Sequence, residues 1–344
     1  MLLIALLLLP IFAFCEKLYV VERERGTLAV IEDGRLRGEI EGLGNLNHAT
    51  VKFYNGFAYV ISRDGFLSKI DPREDRLVKR VKVGNSGIGL DFFKEYVLVA
   101  NYDPDSVVLL DRDLNLVKTI KTDSRNVGIK AYSSGFVFAL MDRDEVWIVE
   151  GENIKRLKDV GKMPFDALLY EDRYLVGFFG EPSLGILDLR RGEYKKIALS
   201  SNGEAVFKIP HFGTWGVVDG MAYVPAVGER KLYILNLKDL KPEGSINLPG
   251  LPVFVVASPD KRLLAVNFSG DREDYIALVD VSKRKVIREV KAGKRIMHMR
   301  FSKDGKRLYI SSYFDSKLRV LSLPDLKSIQ ELEVPNPSGI FVLP

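Results

Sequence analysis

The sequence predicts an all-β chain folded as an eight-bladed β-propeller, closed by its C-terminal strand joining the first blade. Three observations carry that prediction. A unit of strand, short polar turn and second strand recurs eight times, six of the copies ending in an acidic residue. The successive ends of these units lie 38 to 48 residues apart. The 29 Gly and 15 Pro interrupt the chain about every eighth residue, which leaves no room for long helices.

The units run in order as Leu18–Glu32, Ala58–Asp71, Val97–Asp111, Phe136–Glu150, Tyr174–Asp188, Ala222–Asn236, Leu263–Asp280 and Leu308–Ser322. Their strands are short and rich in Val, Ile, Leu, Tyr and Phe, with turn formers at both ends. A more polar strand follows each hairpin, as at Leu77–Val83 and Val286–Lys291. An apolar inner strand precedes each hairpin except the first, as at Val51–Tyr54 and Met297–Phe301. Four strands per unit make one propeller blade. The final segment, Pro337–Leu343, reads as an inner strand with no hairpin after it. Pairing it with the first hairpin completes blade one and removes two open sheet edges. The runner-up is a seven-bladed ring with a separate hairpin, which the even repeat count disfavours.

The predicted organisation is a leader over residues 1–15 and a single propeller over 16–344. Leu2 to Phe14 is an apolar run broken only by Pro10, and Glu16 ends it. Thirteen residues reach about 20 Å as a helix, too short for a membrane core and the size of a signal-peptide apolar region. Export to the periplasm is the expectation, with either cleavage near Cys15 or a lipid anchor on it. A lone cysteine excludes intrachain disulfides, thiolate zinc sites and the C-x-x-C-H signature of covalent haem. Three histidines exclude a His-rich metal cluster, and no structural metal is expected. The net charge of +5 is mild and scattered, so nucleic acid is a poor partner and a small anionic ligand a better one.

In a propeller, inner strands start on the face that also carries the turns between second and third strands. The inner-strand approaches include Asn47-His48, Ser124-Arg125, Lys162-Met163, Lys208-Ile209-Pro210-His211 and Lys294-Arg295. They hold five Lys or Arg, two of the three histidines and no carboxylate. The turns add Arg23, Arg25, Arg63 and Tyr102. Such a mouth suits an anion, and two histidines suit a metal that the ligand itself carries. His298, between Met297 and Met299 inside an inner strand, reads as a core residue. Asp103, Asp105, Asp142 and Asp144 read as solvated turn residues rather than calcium ligands. No nucleophile elbow, metalloprotease helix or phosphate loop appears.

At this point the residues carry a resemblance. Asn47-His48-Ala49 with Ile61-Ser62-Arg63-Asp64-Gly65 resembles the d1 domain of cytochrome cd1 nitrite reductases. Asn101-Tyr102-Asp103-Pro104 and Arg23-Glu24-Arg25-Gly26 are similar to the corresponding turns. Lys162-Met163-Pro164-Phe165-Asp166-Ala167, Lys208-Ile209-Pro210-His211, Met297-His298-Met299-Arg300-Phe301 and Pro337-Ser338-Gly339-Ile340-Phe341 resemble more closely the NirF family of haem d1 biosynthesis proteins. The resemblance covers essentially the whole chain after residue 16.

The resemblance implies an iron tetrapyrrole, haem d1 or a late precursor, as ligand and substrate. It makes His48 the axial ligand to the iron and His211 the distal, catalytic candidate. Arg23, Arg63, Arg125, Lys162 and Arg295 would meet the macrocycle's carboxylates, with Tyr102 bordering it. The missing cytochrome c motif argues for a maturation role over nitrite reduction. That role is either oxidoreductase chemistry of the side-chain dehydrogenation type, or that of a non-enzymatic tetrapyrrole carrier or interaction platform. Other haem d1 assembly proteins or the nitrite reductase itself are the implied protein partners.

Overall fold

Both faces of every blade are buried, so alternate residues along one strand pack against different neighbours. Tyr19 and Val21 join a buried cluster with Val51, Ala58 and Val60. Leu18 and Val20, pointing the other way, join Tyr309, Leu318 and Val320. This explains why the strands read as unbroken apolar runs instead of an in-out alternation. The computed structural model describes residues 16–200, 216–226 and 228–344. It holds eight four-stranded antiparallel sheets.

Blade one comprises β32 (Pro337–Val342), β1 (Lys17–Glu22), β2 (Thr27–Glu32) and β3 (Arg35–Ile40) from axis to rim. Blade two is β4 (Thr50–Tyr54), β5 (Phe57–Ile61), β6 (Phe66–Asp71) and β7 (Arg76–Lys82). Blade three is β8 (Ser86–Phe93), β9 (Tyr96–Asp103), β10 (Ser106–Leu110) and β11 (Leu116–Lys121). Blade four starts with β12 (Asn126–Ala131), blade five with β16 (Pro164–Tyr170) and blade six with the short β20 (Val217–Val218). Blade seven starts with β24 (Leu251–Ala257). Blade eight is β28 (Ile296–Phe301), β29 (Arg307–Ser312), β30 (Lys317–Ser322) and β31 (Ser328–Glu333). All eight predicted hairpins are present. Tyr102, expected in a turn, is instead the penultimate residue of β9.

Closure is as expected: β32 pairs antiparallel with β1, Tyr19 opposite Phe341 and Val20 opposite Ile340. The junction this creates, between blades eight and one, holds nine buried hydrophobic residues among those described. Each fully buried Val, Leu or Ile contributes about 1.5–3 kcal/mol, so the junction far outweighs any surface ion pair. Polar contacts bolt the same strand on both sides. Glu16, buried, accepts hydrogen bonds from the Tyr309 hydroxyl at 2.7 Å and from the Lys303 backbone N–H. On the other side Tyr19 donates to Asp75 at 2.7 Å, and the Lys17 ammonium lies 2.6 Å from the same carboxylate.

The acidic residue at or just past the end of six of the eight third strands also has a physical explanation. Asp71 accepts from the Arg73 N–H, Asp111 from Asp113 and Asn115, Asp188 from Arg190 and Arg191, and Asp280 from Lys283. These side chains close the turn into the outermost strand. Hydrogen bonds from Arg73 hold the Asp71 carboxyl down at about 2.

His298 sits in the core, as read from its flanking methionines. Its Nδ1 accepts the Ile340 N–H at 3.0 Å, and Phe254 and Phe341 pack on the ring. Burial pushes its pKa well below the ordinary imidazole value.

Candidate functional site

The rim is built from loops anchored by buried residues. Before β4, Leu43 and Leu46 are fully buried, which fixes the chain leading to His48. The Asn45 N–H donates to Asp64 at 3.1 Å, and the Arg63 N–H donates to the Asn45 carbonyl at 2.7 Å. His48 itself adopts a φ of 58°, and its side chain is exposed. The exposed His48 thus sits in a left-handed turn two residues after a core anchor. The Arg63 turn needs Gly65, whose φ is 78° and whose missing Cβ would lie 2.1 Å from the Gly84 carbonyl oxygen.

Two arginine–tyrosine groups stand on this face. In the first, the Arg63 guanidinium is 4.7 Å and that of Arg125 5.7 Å from the Tyr102 ring centroid. In the second, Arg23 and Arg295 are each 5.8 Å from the Tyr313 ring, and Arg295 is 5.5 Å from Phe314. The first group spans blades two to four, and the second blades eight and one. With His48 on blade two, these residues occupy one continuous arc of five blades. Lys162 lies beyond it on blade five. His211, together with Lys208, lies outside the described residues, as does Cys15.

The rim is not free of carboxylates, and this corrects the expectation drawn from the inner-strand approaches alone. The acids come from the hairpin turns of the same or the preceding blade. Arg125 pairs with Asp142 at 2.6 Å, and Lys162 with Asp144 at 2.6 Å. Lys294 lies 3.6 Å from Asp315. Asp142 is held below the usual carboxylate range by the Arg125 hydrogen bond, which also raises Arg125. Asp142 and Asp144 are therefore turn residues, as read, that also serve as ion-pair partners, Asp142 remaining exposed. Arg25, too, is engaged, with Glu39 at 2.7 Å and Glu22 at 3.6 Å.

Arg63 and Arg295 differ from these. Among the described residues neither guanidinium has a carboxylate within 4.0 Å, although the Arg295 backbone N–H donates to Asp274 at 3.0 Å. Arg63 Nη1 is buried with no hydrogen-bond partner among the described residues, and so is the nearby Asn47 Oδ1. A buried, unsatisfied guanidinium nitrogen costs about 1–3 kcal/mol. Arg80 and Arg319 each hold one too, so what sets Arg63 apart is its place on this face beside Tyr102. Also among the described residues, no three His, Cys, Asp or Glu side chains come together in a way that could hold a metal ion.

Sequence reasoning missed Tyr313 and Phe314. The signal was present: in the eighth hairpin two aromatics stand where most hairpins place polar residues. Aligning the turns, and not only the strands, would have found them.

The family model described as the Cytochrome D1 heme domain matches residues 15–343. Protein NirF of Pseudomonas aeruginosa is 35% identical over 352 residues, covering 94% of this chain and 90% of its own. Protein NirF of Stutzerimonas stutzeri is 32% identical over 351 residues with the same coverage. The dihydro-heme d1 dehydrogenase of P. aeruginosa is 27% identical over 310 residues, 82% of this chain and 61% of that protein. Among solved structures, the dihydro-heme d1 dehydrogenase NirN in complex with DHE superposes with a TM-score of 0.83 at 24% identity. That superposition covers 95% of this chain and 75% of the other. AztD of Citrobacter koseri follows with a TM-score of 0.75 at 13% identity, covering 95% of this chain and 97% of its own. The two structural likenesses establish the propeller and no more. The family match along nearly the whole chain and the two relatives above 30% identity settle the rest: the chain belongs to the cytochrome d1 haem-domain family, among the NirF proteins.

Proposed function

We propose that the protein acts in haem d1 biosynthesis, binding a late iron-tetrapyrrole precursor of haem d1 at the propeller rim and supporting its final maturation. The observation that carries this reading is Arg63, held over Tyr102 with its Nη1 buried and unsatisfied. A peripheral carboxylate of the macrocycle is the partner it lacks. Such a charge-assisted hydrogen bond contributes about 1.5–3 kcal/mol. Arg295 offers the same service on the far side of His48, and Arg23 offers it in exchange for its 3.9 Å contact with Glu24. The charges of Arg125 and Lys162 are already compensated by Asp142 and Asp144, so they serve mainly to hold the rim in shape.

His48 is the axial ligand in this reading. Its loop is anchored by Leu43 and Leu46 and leaves His48 exposed, and an iron bond to its imidazole would fix which face of the ring stays open. His211 precedes β20 of blade six in the sequence. It is the group we assign to proton transfer at the ring periphery. Two solution properties follow the same logic. The apolar run before Glu16 supports export, with Cys15 as the point of cleavage or lipidation. Glu16 is held at the end of the propeller opposite the rim, so a tether there would leave the mouth facing away from the membrane.

The test is a visible-absorbance titration of the purified protein with dihydro-haem d1. A saturable shift at one equivalent is expected. A spectrum equal to the sum of its components would overturn the proposal.

A further inference from the structure

Phe314, like Met163 before β16, stands apart from the other exposed apolar residues. Most large hydrophobics exposed among the described residues sit on outermost strands, as do Leu36, Val78 and Leu116. Phe314, 57% exposed, sits on the rim beside Arg295. Its turn is not loose. The Tyr313 N–H donates to the Arg295 carbonyl at 3.1 Å, and the Phe314 N–H to the Lys294 carbonyl at 3.2 Å. Asp315 is held by the Ser312 hydroxyl at 2.8 Å and by Arg319 at 3.1 Å. The Tyr313 ring meets the Phe314 ring edge-on at 5.2 Å.

An aromatic ring fixed in solvent gains nothing from burial in the free protein. Beside it stands a guanidinium with no carboxylate partner among the described residues. Together they match the two chemical features of a polycarboxylated macrocycle, an extended apolar face and an anionic edge. We infer that Phe314 and Arg295 form a second subsite on blade eight, where Phe314 packs against the tetrapyrrole plane while Arg295 takes a peripheral carboxylate. This inference rests on the tetrapyrrole reading and adds to it a contacting residue and a direction for the ring, which extends from His48 across blade one towards blade eight.

The experiment titrates wild type, Phe314→Ala and Phe314→Trp with dihydro-haem d1, alongside thermal melts. Phe314→Ala should weaken binding about two- to tenfold without changing the melt, and Phe314→Trp should restore it. In parallel, 4-fluorophenylalanine at position 314 should show a fluorine resonance that moves or broadens on saturation. The same label at Phe57, at the opposite end of the propeller, should not respond. Wild-type binding with an unchanged Phe314→Ala affinity and an unmoved resonance at 314 overturns this inference alone. No saturable binding by wild type overturns the tetrapyrrole reading and this inference with it.

Discussion

The guanidinium of Arg63, on blade two, lies 4.7 Å from the centre of the Tyr102 ring on blade three. The contact crosses a blade junction and holds the arginine in a fixed position over an aromatic face. A cation–π contact of this kind contributes about 0.5–2 kcal/mol. Its larger effect is to keep the long side chain from collapsing into solvent, so that the guanidinium keeps its place beside the Tyr102 ring.

Replacing that charge should therefore act on binding and not on folding. Arg63→Gln is expected to weaken tetrapyrrole binding by about 1–3 kcal/mol, read by spectral titration, with little change in melting temperature. Arg125→Gln should cost less affinity, because the Arg125 charge is already taken by Asp142. Equal losses in the two variants would contradict the division between open and compensated arginines.

The strands and their closure were legible in the sequence because a propeller repeats one hydrophobic pattern eight times. Each copy confirms the register of the others. The candidate rim residues were legible only as a register, since strand starts and turns fall on one face by topology. Which cations are compensated was not legible. Arg125 and Asp142 are 17 residues apart, and Lys162 and Asp144 are 18 apart; only the stacking of neighbouring turns makes them partners. Phe314 was missed for a different reason. A single exposed aromatic has no periodicity, and its meaning comes from the Arg295 side chain beside it.

Ring closure predicts a second outcome. Deleting residues 337–344 removes the inner strand of blade one and uncovers the junction around Leu18, Val20 and Ile340. Cooperative unfolding should be lost, as measured by circular dichroism or calorimetry. A milder probe is Tyr309→Phe, which removes the hydroxyl donated to buried Glu16. It should cost about 1.5–3 kcal/mol in urea unfolding while tetrapyrrole affinity is unchanged. A truncation that melts within a few degrees of the intact chain would refute the closure.

His298 predicts a pH dependence. Its folded-state pKa is depressed by burial, so below about 6.5 the unfolded chain binds a proton that the folded chain does not. Stability from this group is complete above that pH and falls as the pH drops towards the folded value. The slope is at most about 1.4 kcal/mol per pH unit. His298→Asn keeps an acceptor for the Ile340 N–H and cannot titrate. Urea midpoints at pH 7.5 and 5.0 should differ more for wild type than for the variant. Parallel curves would remove His298 as the source.

The most direct test of the account is the visible spectrum of the His48→Ala variant with dihydro-haem d1, compared with wild type and with His211→Ala. The account predicts that His48→Ala binds more weakly and with an altered spectrum, since an iron–imidazole bond is lost. His211→Ala should keep a spectrum close to wild type and fail to support haem d1 maturation in cells lacking the native protein. If His48→Ala binds with wild-type affinity and an unaltered spectrum, the iron is held elsewhere and the central assignment is wrong.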